Sequence, residues 1–303
     1  MEKRRIWCLS PKWNVPKVEE DEKMEREERR LNLKAGAAVL ALMTLILIAV
    51  GLLVSCGYEQ EQPQNDDSLK RVLRRGELIL GFDANYPPMG FMNESGEIVG
   101  FDIDVAQQAC TRMGVRLVAK PINWEEKEKL LNSGQIDCIW NGMSVTPERA
   151  EQMTLSEPYM KNGLIFMVTG ESEARGNMDL VGGTVGVQSG SSAVEALENA
   201  DFRSEIAVLR FNDNLSLLAA LDEGRVDAAL VDSVVAYYYT AERGKTYYVL
   251  PDSLSEENIA VGFRKGDEAL RDRVQELIDE MKENGTLAII STKWFGGDIT
   301  IVK

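Results

Sequence analysis

The stretch Ile136-Asp-Cys-Ile-Trp-Asn141-Gly-Met-Ser144-Val-Thr-Pro147-Glu-Arg149 joins an apolar run to the start of a helix. Ile136 to Trp140 reads as a buried strand. Thr146 has the side chain of a helix N-cap, and Pro147 then falls at the first helical position, where its missing N–H costs nothing. Arg149 follows in the first turn. A cation there opposes the helix dipole, and a capping box would place Glu or Gln at that position. An arginine makes sense if an anion approaches. Free backbone N–H groups, the Ser144 hydroxyl and a guanidinium fork together suit a carboxylate. Taken alone, the same residues also fit a plain strand–turn–helix with a surface arginine.

Working outward, the chain contains this arrangement twice. Leu131-Asn-Ser-Gly134-Gln-Ile-Asp137 corresponds to Leu221-Asp-Glu-Gly224-Arg-Val-Asp227, and each precedes an apolar strand, one ending at Asn141 and the other at Asp232. Helix, glycine stop and buried strand occurring twice predict two lobes built alike, with their strand ends facing one cleft. Asp232 then stands as a carboxylate at a strand end opposite Arg149. Glu77 to Phe82 reads as a further strand, running into Asp83-Ala-Asn-Tyr86-Pro-Pro-Met89, a loop because of its two prolines. Asp83 and Tyr86 therefore lie at the carboxyl end of a strand, where open α/β sheets take ligands. They also fit a turn aspartate and an exposed tyrosine.

Other segments carry more local readings. Asp102 is expected as a helix N-cap and Asp104 as a favourable charge in the first turn, both structural. Trp124 is expected to open a helix running to Leu131, stopped by Gly134; it fits a core residue or a ligand wall equally. Gly183 to Ser192 reads as strand, glycine turn and helix start, with Ser192 and Glu195 as a capping box and the turn as a second anion seat. Its glycine spacing does not fit a dinucleotide fingerprint, and no Gly-Lys-Ser/Thr occurs, so nucleotide binding is rejected. Leu270, Val274, Leu277, Ile278 and Met281 mark a core-facing helix.

Composition narrows the function classes. The 303 residues suffice for one large domain or two ordinary ones. A formal net charge of −15 excludes nucleic-acid binding by charge. The chain has no histidine. That removes a Ser-His-Asp triad, a Cys-His pair and every histidine metal site. Cys8, Cys56, Cys110 and Cys138 show no metal-ligand spacing. Cys110 and Cys138 read as small apolar core residues, with a disulfide between them as the alternative. No metal or cofactor is expected.

The N-terminus reads as an export signal. Ala35 to Val54 is uncharged, lies behind Arg29, Arg30 and Lys34, and ends in Leu53-Val54-Ser55-Cys56. This ending resembles the bacterial lipobox, in which small residues precede a cysteine that is lipidated before cleavage. The basic flank stays inside, as the positive-inside rule expects. Cys56 would then anchor the chain to the outer face of the plasma membrane through two or more acyl chains. An uncleaved membrane helix is the alternative. Residues 1–30 are charge-rich and aperiodic, and Met24 reads as the true start, which leaves Glu25 to Arg30 as the charged region. Residues 1–55 are set aside from the fold as extension and signal peptide, and 56–67 as the lipidated cysteine and a flexible tether.

Residues 76–296 resemble the extracellular amino-acid-binding proteins of ABC importers, of the polar amino-acid type. The blocks that carry this are Asp83-Ala-Asn-Tyr86-Pro-Pro, Gly100-Phe-Asp-Ile-Asp104, Ile136 through Arg149, Gly186-Val-Gln-Ser-Gly-Ser191, Val226-Asp-Ala-Ala-Leu-Val-Asp232, and Gly285 through Lys293-Trp-Phe-Gly296, in that order. The resemblance implies an α/β, two-lobed periplasmic-binding-protein-like (type II) fold with two crossover strands. One lobe takes 68–162 and 254–303, the other 163–253. It further implies that Arg149 pairs with a ligand α-carboxylate, aided by Ser144 and the Ser192 N–H. Asp232 would accept the α-ammonium with the Gly142 carbonyl and Ser144. Tyr86 and Trp124 would wall the side-chain pocket, and Asp83 would meet its polar or cationic end. Asn141 and Gly142 replace hydroxyl residues common in relatives, and Gln188 and Ala193 sit where the family varies with ligand. The implied partners are a free amino acid, polar or basic, and an ABC permease complex, with the protein a monomer. Two alternatives remain: a lyase on the same fold, similar to cyclohexadienyl or arogenate dehydratase, and a surface amino-acid sensor.

Overall fold

The computed structural model describes residues 66–301 other than 243–246, together with scattered positions between Met24 and Leu45. Residues 1–63 and 64–303 form separate compact units. In the first, the described positions are helical and exposed, including Leu40, Leu42, Met43 and Leu45. Among the described residues no helix is long and apolar enough to cross a membrane. Cys56 and Leu53 to Ser55 lie outside the described residues.

The second unit starts with α1 (Ser68–Arg75) and β1 (Glu77–Phe82), the expected strand. A small antiparallel sheet follows, made of β2 (Asn85–Tyr86), β3 (Gly90–Met92) and β4 (Ile98–Val99), with Glu94 to Glu97 at the hairpin tip. After it come α2 (Phe101–Met113) and β5 (Arg116–Pro121). Asp102 is not the cap of α2. Gly100 is, with a φ of 143°, and the Asp102 side chain turns inward instead. Trp124 opens a short 3₁₀ turn, Trp124–Glu126, and α3 (Lys127–Asn132) continues from it. The strand expected at Ile136 lies further along, as β6 (Cys138–Ser144), buried over its whole length. Then come α4 (Pro147–Gln152), β7 (Met153–Leu155) and the ten-residue β8 (Met160–Thr169). The Thr146 hydroxyl caps α4 by accepting from the Arg149 N–H, with Pro147 at the first turn.

The second lobe holds β9 (Thr184–Gln188), α5 (Ser192–Glu198), β10 (Ala207–Phe211), α6 (Asn214–Asp222), β11 (Ala228–Asp232), α7 (Ser233–Glu242) and β12 (Tyr247–Val249). The chain returns through β13 (Ser255–Arg264) to α8 (Glu268–Glu283) and α9 (Thr286–Phe295). Leu270, Val274, Leu277, Ile278 and Met281 are the buried stripe of α8, as their spacing requires. Cys110 and Cys138 are both free and buried, so the disulfide alternative is dismissed. Burial pushes the Cys110 thiol up to about 12 and that of Cys138 up as well.

The internal repeat is a geometric one. Gly134 and Gly224 have φ of 74° and 68°, left-handed positions that end α3 and α6. Asp137 accepts from the Ile79 N–H at 2.8 Å while its own N–H reaches the Ile79 carbonyl at 2.7 Å. Asp227 does the same with Thr184, at 2.7 and 2.8 Å. Each aspartate thus pins the start of a central strand to its parallel neighbour, β6 to β1 in one lobe and β11 to β9 in the other. The sheet order is β10-β9-β11-β8-β13-β6-β1-β5, one path through both lobes. It is continuous because β8 and β13, the two crossover strands, pair antiparallel with each other and with β11 and β6 respectively. The carboxyl ends of β1, β6, β9 and β11 therefore converge on one region.

Candidate ligand-binding site

At that region lies a small cavity with about 290 Å³ of empty space. All ten residues singled out in the sequence line it: Asp83, Tyr86, Trp124, Asn141, Gly142, Ser144, Arg149, Gln188, Ser192 and Asp232. Ser191 is the one further lining residue. Strand ends deliver Asp83, Ser144, Gln188 and Asp232; helix starts deliver Trp124, Arg149 and Ser192.

Arg149 is 7% exposed. Its Nη1 donates to the Ser144 carbonyl at 2.8 Å, and its Nη2 to the Gly190 carbonyl on the other lobe at 3.1 Å. Among the described residues these bonds use two of an arginine's five N–H donors. Burial lowers its pKa, opposed by the surrounding carboxylates. Lys127 reaches the same Gly190 carbonyl at 2.8 Å and pairs with Glu128 at 2.9 Å. Burial, then the neighbouring Arg149, brings the Lys127 amine down to about 8. Sequence reading missed Lys127, which looks like any lysine on a helix surface.

Facing Arg149, Asp232 accepts from the Tyr86 hydroxyl and from Asn162 Nδ2. Burial pushes its carboxyl up to about 6, the nearby Glu257 adds to this, and Tyr86, Asn162 and Arg149 oppose it. Asp83 binds Gln188 Nε2 across the cavity at 2.6 Å, and burial raises its pKa too. Asn141 accepts from the Asp83 N–H at 2.9 Å, and its Nδ2 has no partner among the described residues. Ser192 is not a capping residue. Ser191 holds the N-cap position of α5, and the Ser192 hydroxyl instead lies 3.2 Å from the Ser144 hydroxyl and 3.1 Å from Glu257 Oε2.

Gly142 fixes the floor. Its φ is 59°, its N–H donates to the fully buried Asp102 carboxylate at 2.6 Å, and a Cβ there would sit 2.7 Å from the Tyr86 ring. Gly142→Ala therefore pushes Tyr86 off Asp232. Strain at a left-handed position and the displaced ring together should lower stability by about 1–3 kcal/mol. Urea denaturation reads that loss, and calorimetry should show weaker ligand binding beside it.

The arrangement brings the Arg149 guanidinium of one lobe and the Asp232 carboxylate of the other to one small cavity, with Asp83 also at its wall. This suits a small zwitterion whose charges need desolvated partners. The chain belongs to the bacterial extracellular solute-binding proteins, family 3, which it matches over residues 78–297. It is 31% identical over 266 residues to the L-cystine-binding protein TcyJ of Escherichia coli (strain K12), covering 87% of this chain and 96% of that one. Among solved structures it is similar to Tv2483 bound to L-arginine, with 32% identity, a TM-score of 0.76, and 78% and 98% of the two chains covered. It is also similar to the ancestral amino-acid-binding protein AncCDT-1, a precursor of cyclohexadienyl dehydratase, with 31% identity, a TM-score of 0.70, and 75% and 99% covered.

Proposed function

We propose that this protein captures a free amino acid between its lobes and hands it to the permease of an ABC importer. The observation that carries this is the placement of Arg149 and Asp232 at one cavity, on separate lobes. Arg149 takes the α-carboxylate with its unused N–H donors and the α5 amides. Asp232 takes the α-ammonium. Tyr86 and Trp124 wall the side chain, and Asp83 with Gln188 meets its end. Asp83, Asp232 and the nearby Glu257 outnumber Arg149, which favours a ligand carrying extra positive charge or a second amine. The ligands named for TcyJ and Tv2483 are of that kind. A thermal-shift screen of the twenty amino acids plus cystine and ornithine tests the proposal, since a ligand raises the melting temperature by mass action. No shift with any of them would refute it.

Binding should depend on pH through Asp232. The ammonium needs the carboxylate ionised, so below about pH 6 capture must expel a proton. The dissociation constant then rises by up to about tenfold per unit of acidification. Ligand-free stability moves the other way: the raised carboxyl favours the folded state most below about pH 4 and loses that contribution as pH climbs through 6. Calorimetry from pH 8 to 4 separates the two, and Asp232→Asn should remove the acid-side slope along with most of the affinity.

A second reading is a lyase like cyclohexadienyl dehydratase, favoured by the likeness to AncCDT-1 and by the raised Asp83 carboxyl. Turnover of prephenate would establish it. Anchoring to the outer face of the plasma membrane through Cys56 rests on Leu53-Val-Ser-Cys56 behind an uncharged run. Cys56→Ala should release the protein from the membrane fraction.

A further inference from the structure

Glu257 stands on β13, one of the two crossover strands, and the ligand cavity is lined without it. Pairing of Ile259 with Ser144 puts the start of β13 directly behind the end of β6. There Glu257 Oε2 accepts from the Ser144 hydroxyl at 2.5 Å, and the Ser192 hydroxyl lies 3.1 Å from the same oxygen. Ser144 belongs to the first lobe and Ser192 opens α5 of the second; both are almost fully buried. Among the described residues the Glu257 carboxylate has no ion-pair partner. It also raises the pKa of Asp232 by like-charge repulsion. It likewise supports the charge of the buried Arg149. What it does have is one hydroxyl from each lobe on one oxygen, a bridge that exists only when the lobes are together.

We propose that Glu257 is a positioning residue that clasps the closed lobes through Ser144 and Ser192 and, by taking the Ser144 hydrogen, leaves that hydroxyl's lone pairs for the ligand ammonium. The assignment rests on the amino-acid-capture reading for its second half and on geometry alone for its first. It revises the expected part of Ser144: with its hydrogen committed to Glu257, the hydroxyl cannot donate to the ligand carboxylate, which falls to Arg149 and the α5 amides. The Ser144 oxygen keeps its expected part as an acceptor for the ammonium, beside Asp232 and the Gly142 carbonyl. The clasp forms whenever the lobes close, and a bound ligand holds them closed, so it acts on escape more than on entry. Differences between closely related complexes fall mainly on the dissociation rate, and lobe closure stabilises the bound state only through contacts the open form lacks.

The test uses the full chain in detergent, as wild type, Glu257→Gln, Ser192→Ala and the double variant. Glutamine keeps the shape and one acceptor oxygen but removes its charge, which weakens both hydroxyl bonds. Stopped-flow binding of the amino acid found in the thermal-shift screen should show dissociation at least about tenfold faster in Glu257→Gln, with association changed less than about twofold. Ser192→Ala should add less than about twofold on the Glu257→Gln background, because both act on one bridge. A ligand-free arm is independent of what the protein binds. Hydrogen exchange should quicken for amides near Ser144 and at the start of α5 in Glu257→Gln, while α8 stays as in wild type. Wild-type dissociation rates in Glu257→Gln, or single effects that multiply in the double variant, would overturn the clasp. So would unchanged exchange at both lobe edges. Quickened exchange with no amino acid bound by the wild type would sustain the clasp and remove the capture reading instead.

Discussion

Arg149→Ala should abolish amino-acid capture while leaving the fold standing. The guanidinium is almost wholly buried and bridges the Ser144 carbonyl of one lobe to the Gly190 carbonyl of the other. Truncating one member of a buried, hydrogen-bonded charge pair costs roughly 2–5 kcal/mol, which is about 30-fold to several thousand-fold in affinity. The upper end applies here, because the same group also holds the second lobe through Gly190. Arg149→Lys should recover little, since an ammonium cannot supply a planar fork to a carboxylate. Stability should change by less than about 1 kcal/mol, because removing a desolvated cation offsets the lost bonds. Titration calorimetry beside circular dichroism measures both halves. Affinity within threefold of wild type in Arg149→Ala would take the carboxylate assignment away from this residue.

The largest loss of stability should come from Asp102→Ala. This carboxylate is fully buried, accepts from the Gly142 N–H at 2.6 Å and from the Tyr159 hydroxyl at 2.8 Å, and holds the turn that carries Gly142. Alanine strands two buried donors, each costing about 1–3 kcal/mol. A total near 3 kcal/mol corresponds to a fall of about 6–12 °C in melting temperature for a domain of this size. Asp102→Asn should rescue it in part, because its oxygen can keep the Gly142 N–H while its amide donates to the Tyr159 oxygen, leaving that hydroxyl's hydrogen without its acceptor. Burial pushes the Asp102 carboxyl up to about 7, so between about pH 4 and 7 the folded state holds the proton that the unfolded chain has lost. Wild type therefore loses part of its stability as pH rises across that window, and the variant should lack this slope. Urea titrations at pH 4.5 and 8 compare the two. A variant as stable as wild type at both would show that Gly142 is held by something else.

Much of this architecture was legible because its signals are local. Thr146-Pro147 marks a helix start, the spacing of Leu270, Val274, Leu277, Ile278 and Met281 marks a buried stripe, and the Gly134 and Gly224 segments repeat one motif. The cavity residues followed from strand ends and from likeness to a family with recognisable blocks. What escaped depends on contacts distant in the chain. Asp102 has the position of a cap, and only the packing of Tyr159 and Gly142 above it turns it inward. Ser192 and Glu195 match a capping box, yet the Ser192 hydroxyl faces the opposite lobe. Glu257 gives no periodic signal in Ser255-Glu-Glu-Asn258; its neighbours are set by the register of β13 on β6, 113 residues from Ser144 in sequence. Two adjacent glutamates ahead of an apolar strand were the available hint.

The hinge of this protein is itself a ribbon of sheet. β8 and β13 remain bonded to each other over five residue pairs, from Ile259 opposite Met160 to Ser255 opposite Leu164, so the two lobes are welded along a shared edge. Opening has no slack linker to draw on; it must twist two coupled strands about their common axis, with little freedom to slide or tilt in other directions. Such a spring returns the lobes to the same mutual alignment on every cycle, and a permease waiting above would meet one shape of loaded protein, turn after turn.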